Sequence, residues 1–169
     1  MTRLRKFLRL SASDQRLLVE AALFHGMARL ALLALPFRWV ASILGQNMEE
    51  TSRKIQTKLQ DALGYNVGVF VRTITQIKEI IQSKPFEGME EESASFLVTF
   101  LLEEVKGLET PIRIPNSTAD IILKRGKEVY SITRGHGDGG KPNPYIEMKL
   151  KTQATTRNWN IINEIAKAQ

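Results

Sequence analysis

The sequence predicts an α+β sandwich with a mainly antiparallel sheet, preceded by an α-helical N-terminal extension. Three observations carry this. Beyond residue 47, strand-like and helix-like segments are intermixed rather than regularly alternating. Two of the strand segments are separated only by Gly126-Lys127, a hairpin signal that makes antiparallel pairing local. Residues 1–46, in contrast, show apolar residues at helical spacing almost throughout.

In the N-terminal 46 residues, Ser11-Ala-Ser-Asp supplies capping hydroxyls and an early acid. Leu17, Leu18, Ala21, Ala22, Leu30, Leu33 and Ala34 then recur at helical spacing until Pro36. A second helix from Phe37 ends at Gly45, with Phe37, Val40, Ala41 and Leu44 on its apolar side. Glu20, His25 and Arg29 interrupt the Ala/Leu run, which disfavours a membrane span. Asp14, Arg16 and Glu20 part the basic start from the apolar run, unlike a secretory signal. A packed or interfacial helical hairpin is the favoured reading, with a membrane surface as a candidate contact for residues 1–45.

From Glu49 an amphipathic helix carries Ile55, Leu59 and Leu63 and stops at Gly64. Val67 to Val71 reads as a strand. Thr73 and Gln76 form a capping-box pattern that opens a helix with Ile77, Ile80 and Ile81 inside, ending before Pro85. Glu87 to Glu92 reads as an exposed acidic loop, and Phe96 to Leu102 as a buried central strand. A short helical turn or loop is expected around Glu103–Gly107, then a connection bracketed by Pro111 and Pro115. Strands Ile121–Lys124 and Val129–Thr133 follow, then the loop Gly135-His-Gly-Asp-Gly-Gly. Helices close the chain from about Pro144 to Leu150 and Trp159 to Ala168, and no internal repeat is evident.

The charge is +6, but residues 1–46 hold seven Arg and Lys against Asp14 and Glu20, a net of +5. The rest of the chain is close to neutral, which argues against nucleic acid as a partner. There is no Cys, so disulfides, thiolate nucleophiles, thiolate metal sites and iron–sulfur clusters are excluded. This suits a cytoplasmic location.

His25 and His136 stand alone, without a second His at ligand spacing, and no metal or other cofactor is expected. The Gly135 loop lacks the Gly-Lys-Ser/Thr ending of a phosphate loop, and Pro142 and Pro144 remove amide donors from the following helix start. Glu90, Glu91 and Glu92 are neighbours in a loop, not carboxylates paired across a cleft. No Ser or Thr has a base in a recognisable pattern. The chain therefore leans away from catalysis and towards binding.

The candidate ligand-binding set is Lys141, Asn143, Thr156, Arg157, Asn158 and Trp159. One account of Thr155 to Asn160 is structural: a hydroxyl or Asn158 caps the last helix, Trp159 packs beneath it, and Arg157 meets a carboxylate. The other uses free amides at a helix start, with Arg157 and Trp159, to hold an anion or a stacked base.

Several segments also resemble a known family. They are Val69-Phe-Val-Arg-Thr, Ile80-Ile-Gln-Ser-Lys-Pro-Phe, Phe96-Leu-Val-Thr-Phe, Glu128-Val-Tyr-Ser-Ile-Thr-Arg, and Pro142-Asn-Pro-Tyr-Ile-Glu-Met-Lys-Leu running into Ala154-Thr-Thr-Arg-Asn-Trp-Asn. Together they resemble the domain of unknown function 1697 family, mainly bacterial proteins with tandem ferredoxin-like domains. The resemblance spans about residues 49–169. It implies a ferredoxin-like domain over 73–169 and, over 47–72, the remnant helix and strand of a preceding one. The family's opening strand, with its Arg-Gly-Ile-Asn-Val-Gly-Gly-type loop, has no counterpart here.

Residues 4–45 are similar to the N-terminal helices of lasso-peptide maturation proteases, on Leu8-Arg-Leu-Ser-Ala-Ser-Asp-Gln-Arg-Leu-Leu and Leu35-Pro-Phe-Arg-Trp. The chemistry of those proteases needs a Cys nucleophile, so that resemblance implies at most an accessory role. The chain thus resembles a fusion with its junction near Gly45. Self-association is expected through the Val67–Val71 strand or the N-terminal helices, because a lone apolar strand leaves an open edge. Elemental analysis of purified protein should find no stoichiometric transition metal. About one zinc or iron per chain, lost on His136→Ala, would overturn that expectation.

Overall fold

A computed structural model describes residues 17–22, 48–66, 68–89, 94–134 and 141–167. They fall into two compact units that divide between Thr75 and Gln76. The first contains strand β1 (Leu17–Ala22), helix α1 (Met48–Leu63) and strand β2 (Gly68–Thr73). Helix α2 (Ile74–Gln82) begins at the division. The second contains β3 (Ala94–Leu101), β4 (Ile112–Arg113), β5 (Ala119–Arg125), β6 (Glu128–Arg134), helix α3 (Asn143–Leu150), β7 (Ala154–Asn158) and helix α4 (Trp159–Lys167).

In the first unit, β1 and β2 pair antiparallel along their whole lengths, with Val19 opposite Val71 and Ala21 opposite Val69. This corrects the helical reading of Leu17–Ala22. An apolar strand such as β2 exposes a row of backbone donors and acceptors that must be met. That long-range demand overrides a local helical pattern worth only tenths of a kcal/mol per residue, on the order of 0.5. The expectation that the Val67–Val71 strand lacks a neighbour fails for the same reason. The rest of the expected N-terminal helices lies outside the described residues.

The second unit is a five-stranded antiparallel sheet in the order β4-β5-β6-β3-β7. β3 and β5 both run antiparallel to β6, so they are parallel to each other with β6 between them. With β7 on the far side of β3, this is the β-α-β-β-α-β strand order of a ferredoxin-like fold. One departure is clear: the crossover from β3 to β5 is not helical. Of the helical turn or loop expected over Glu103–Gly107 the structure has the loop, an irregular segment that lays Val105 and Leu108 against the core. The sheet pairing is also prolonged there, the Leu102 amide donating to Gln153 O at 3.0 Å.

Register assigns the side chains to two faces. Thr99, Leu101, Ala119, Ile121, Val129 and Ala154 share one face. There Leu101, Ile121 and Val129 form a core with Ile114, Ile146 and Leu150, so α3 and the irregular crossover cover this side. Phe96, Val98, Tyr130 and Ile132 share the other. On that side Phe86, in the turn after α2, is the hub of an aromatic cluster, its ring centroid 4.8 Å from Phe96, 5.9 Å from Tyr130 and 5.1 Å from Trp159. The β5–β6 hairpin closes with Gly126 at φ +53, the Gly-first pattern of a two-residue turn.

A repeat that the sequence does not announce becomes visible in the geometry. The segments β2–α2 and β7–α4 correspond residue for residue at a constant offset: Val69 with Ala154, Arg72 with Arg157, Thr73 with Asn158, Glu79 with Glu164. Ile77 and Ile162, at matching positions, are both 0 % exposed. Each strand follows a helix and pairs antiparallel with an earlier strand, β1 or β3. Too few identities remain for this to be read from the residues alone.

Ile146, 0 % exposed in the α3-side core, should be costly to truncate. Ile146→Ala is expected to lose about 2–5 kcal/mol by urea denaturation, whereas Met148→Ala, at a side chain 54 % exposed, should change stability by under ~0.5 kcal/mol.

Candidate functional site

The candidate residues lie on and around β7, and α3 accounts for two of them, Asn143 and Thr156. Asn143 and Glu147 are one helical turn apart and so project from the same side of α3. Asn143 Nδ2 donates to Ala154 O at 3.1 Å, and the Ala154 amide donates to Glu147 Oε1 at 2.8 Å. Both backbone groups of Ala154 point away from β3, since Gln153 O accepts from Leu102 and backbone direction alternates along a strand. Two residues on, Thr156 O accepts from Arg157 Nη1 at 2.7 Å. The outer edge of β7 is therefore closed by side chains rather than by another strand.

The same residues tie α3 to the sheet face. The Thr99 and Thr156 hydroxyl oxygens are 2.6 Å apart, and Thr156 donates to Asn143 Oδ1, so Thr99, Thr156 and Asn143 form one chain. Thr99 is fully buried. Close by in register, Ser131 Oγ is also buried and has no hydrogen-bond partner among the described residues.

The structure adds a strand to the reading of Thr155 to Asn160: residues 154–158 are β7, and the helix begins at Trp159, as expected. The Thr155-Thr156 pair is the signal that could have shown this, since β-branched residues favour strands. Asn158 does cap the helix, its Oδ1 accepting from the Asn160 amide at 2.9 Å.

The six candidates do not converge on one pocket. Asn143 and Thr156 are bonded to each other on the α3 face, whereas Arg157 lies opposite Val98 on the aromatic face. Lys141 is exposed just ahead of α3. Trp159 alone lines a groove, of about 250 Å³ and open along one side, together with Ile81, Lys84, Pro85, Phe86, Glu87 and Asn163. Lys84 and Glu87 pair at 2.6 Å on its exposed rim. Asn163 Nδ2 donates to Trp159 O at 2.9 Å and holds the start of α4. The sequence reading missed this groove because Phe86 and Trp159 are far apart in the chain and neither carries a motif.

His25, His136, the loop 135–140 and Glu90 to Glu92 lie outside the described residues. Among the described residues no three His, Asp or Glu side chains come together in a way that could hold a metal ion. Among them, too, no helix is long and apolar enough to cross a membrane.

Glu147→Ala should leave the buried Ala154 amide without an acceptor and lower stability by about 1–3 kcal/mol in chemical denaturation. Glu147→Gln, which keeps an acceptor oxygen, is expected to recover most of that loss.

A family model described as Protein of unknown function (DUF1697) matches residues 42–130, just over half of the chain. The match starts shortly before α1 and ends within β6, short of the Asn143–Asn160 region. No curated protein and no solved structure matches the chain.

Proposed function

The chain belongs to the family described as Protein of unknown function (DUF1697), and from that premise we propose that it is a non-catalytic binding module that docks a neutral apolar side chain, proline or aromatic, of a peptide in the Trp159–Phe86 groove. The observation that carries this reading is the groove's chemistry. Its floor is Ile81, Pro85, Phe86 and Trp159, and its ionisable residues, Lys84 and Glu87, neutralise each other at the rim. Nothing in that lining pairs a nucleophile with a base.

Size points the same way. Pockets for whole small-molecule ligands run to ~300–1,000 Å³, so about 250 Å³ suits a single anchoring side chain. Aromatic-lined grooves favour proline-rich segments because an extended PPII chain arrives with little entropy left to lose.

The wider reading places the module in a bacterial cytoplasm. It takes residues 47–72 as the remnant of a first ferredoxin-like copy, with a fusion junction near Gly45. The start of the family match at residue 42 and the correspondence of β2–α2 with β7–α4 support that organisation.

Trp39 and Trp159 are the two tryptophans, so Trp39→Phe leaves Trp159 as a single reporter. Neutral proline- and aromatic-containing peptides should shift its emission with a Kd on the order of 10⁻⁴ M, about −5.5 kcal/mol. Ile81→Glu should weaken binding at least ~10-fold, the ~1.4 kcal/mol of one decade. No shift with any such peptide at millimolar concentration would sink the proposal.

A further inference from the structure

We propose that Trp159 and Asn163 read the main chain of the peptide docked in the groove: the indole N–H donates to a backbone carbonyl, and Asn163 Oδ1 accepts the N–H of the same peptide residue. The ligand is therefore an extended segment with a non-proline residue at or beside its apolar anchor, not an amphipathic helix. This rests on the groove being a peptide-docking site and adds what that site selects.

The polar groups of the lining are mostly engaged with one another. Lys84 and Glu87 pair at 2.6 Å. The backbone of their turn closes on itself: the amides of Lys84, Glu87 and Met89 donate to Ile81 O, Lys84 O and Phe86 O, each at 3.1 Å, and Pro85 has no amide. What is left belongs to α4. Asn163 Nδ2 donates to Trp159 O at 2.9 Å, and because a carbonyl can be met only by the NH2 end of an amide, this bond also fixes Oδ1 as the end turned away. Among the described residues nothing donates to Asn163 Oδ1 and nothing accepts from Trp159 Nε1–H, and neither atom is buried.

Both groups are held in place before any ligand arrives. Trp159 and Asn163 are one helical turn apart, so their side chains rise from the same side of α4, with Cβ atoms ~5–6 Å apart. Ile162 beside them, 0 % exposed, seats the helix on β3 and β7. The Trp159 ring stands edge-on to Phe86, which in turn packs on Phe96 and Tyr130. Donor and acceptor need little reordering on binding, the condition under which hydrogen bonds add most to affinity.

Complementarity of partial charge selects the occupant. The groove has no net charge, one unmet positive N–H and one unmet negative oxygen on an otherwise apolar lining. A residue in extended conformation presents its own N–H and C=O to the same side of the chain, and so matches both. A helical ligand has already engaged those groups in its own ladder, and a proline at that position has no N–H. A purely apolar occupant, such as an acyl chain, would strip water from both groups and return nothing, which is unfavourable in an apolar site.

The test uses the full chain carrying Trp39→Phe and a short capped alanine peptide with a central Phe-Pro pair. On saturation the proton–nitrogen NMR signal of the Trp159 indole should move downfield, the mark of a new acceptor. Replacing the peptide's backbone amides by esters one at a time exchanges N–H for O with little change of shape. Affinity should fall at least ~10-fold at one position and little elsewhere. In Asn163→Ala the same ester should have no effect, the signature of a direct pair. The same anchor on a peptide held helical by a side-chain cross-link should bind at least ~10-fold more weakly. With the peptide bound, a flat ester scan, an unmoved indole signal or equal binding of the helical form overturns this inference and leaves groove docking standing. No binding by any such peptide overturns both. The ester scan and the indole signal need no change at Asn163, so they decide the matter even if Asn163→Ala fails to fold.

Discussion

Every strand at the margin of a sheet leaves half of its backbone donors and acceptors facing outward, and here that accounting shapes the surrounding sequence. β7 meets it with three side chains: Asn143 and Glu147 reach in from α3, and Arg157 folds back onto the carbonyl before it. Glu147 and Asn143 must therefore stay one turn apart, and α3 must start where it does. Pro142 holds the cap position of α3 with no side chain to cap it, and Pro144 in the first turn has no amide to satisfy, which leaves the Asn143 side chain for β7. The Thr99–Thr156–Asn143 chain then ties the helix to the middle of the sheet face. Of the six candidate residues, Asn143 and Arg157 serve to close this edge, and Thr156 ties α3 to the sheet face.

The opposite face depends on a different contact. Phe86 sits in the short turn after α2 and meets Phe96, Tyr130 and Trp159 at tilted or edge-on angles, the geometries aromatic rings prefer. It brings together the central strand, its neighbour β6 and the start of α4. The groove is a consequence of this packing, because Trp159 is held by Phe86 on one side and left half-exposed on the other.

Much of the fold was legible in the residues. The Phe96 to Leu102 run marked the central strand, Gly126-Lys127 marked the hairpin, and the last two helices lie close to where their periodicity put them. Failures came where a non-local demand outweighed a local pattern. Leu17–Ala22 has helical spacing yet forms a strand because β2 needs a partner, and Ala154–Asn158, left unassigned in the sequence reading, is drawn into the sheet by β3. The candidate site was legible in part. Asn158 as a helix cap follows from local chemistry, but the roles of Asn143 and Thr156 arise only when α3 lies along β7. The Phe86–Trp159 groove unites residues with no shared motif, so no local reading reaches it.

The order of the strands in the chain has a further consequence for how the protein is made. β3 lies at the heart of the larger sheet, yet both its partners, β6 and β7, come later in the chain. As the chain leaves the ribosome, the β5–β6 hairpin has a tight turn and can form early, with β3 available to dock on it. The β3–β7 seam joins Thr99 to Thr156 across 57 residues, so it is the last to close. Until then the Phe96 to Leu101 strand is apolar, extended and open along one side. The nascent chain is thus most prone to mispairing just before its final helix emerges, and the late arrival of Arg157 and the Asn143–Glu147 clasp is also what ends that vulnerability.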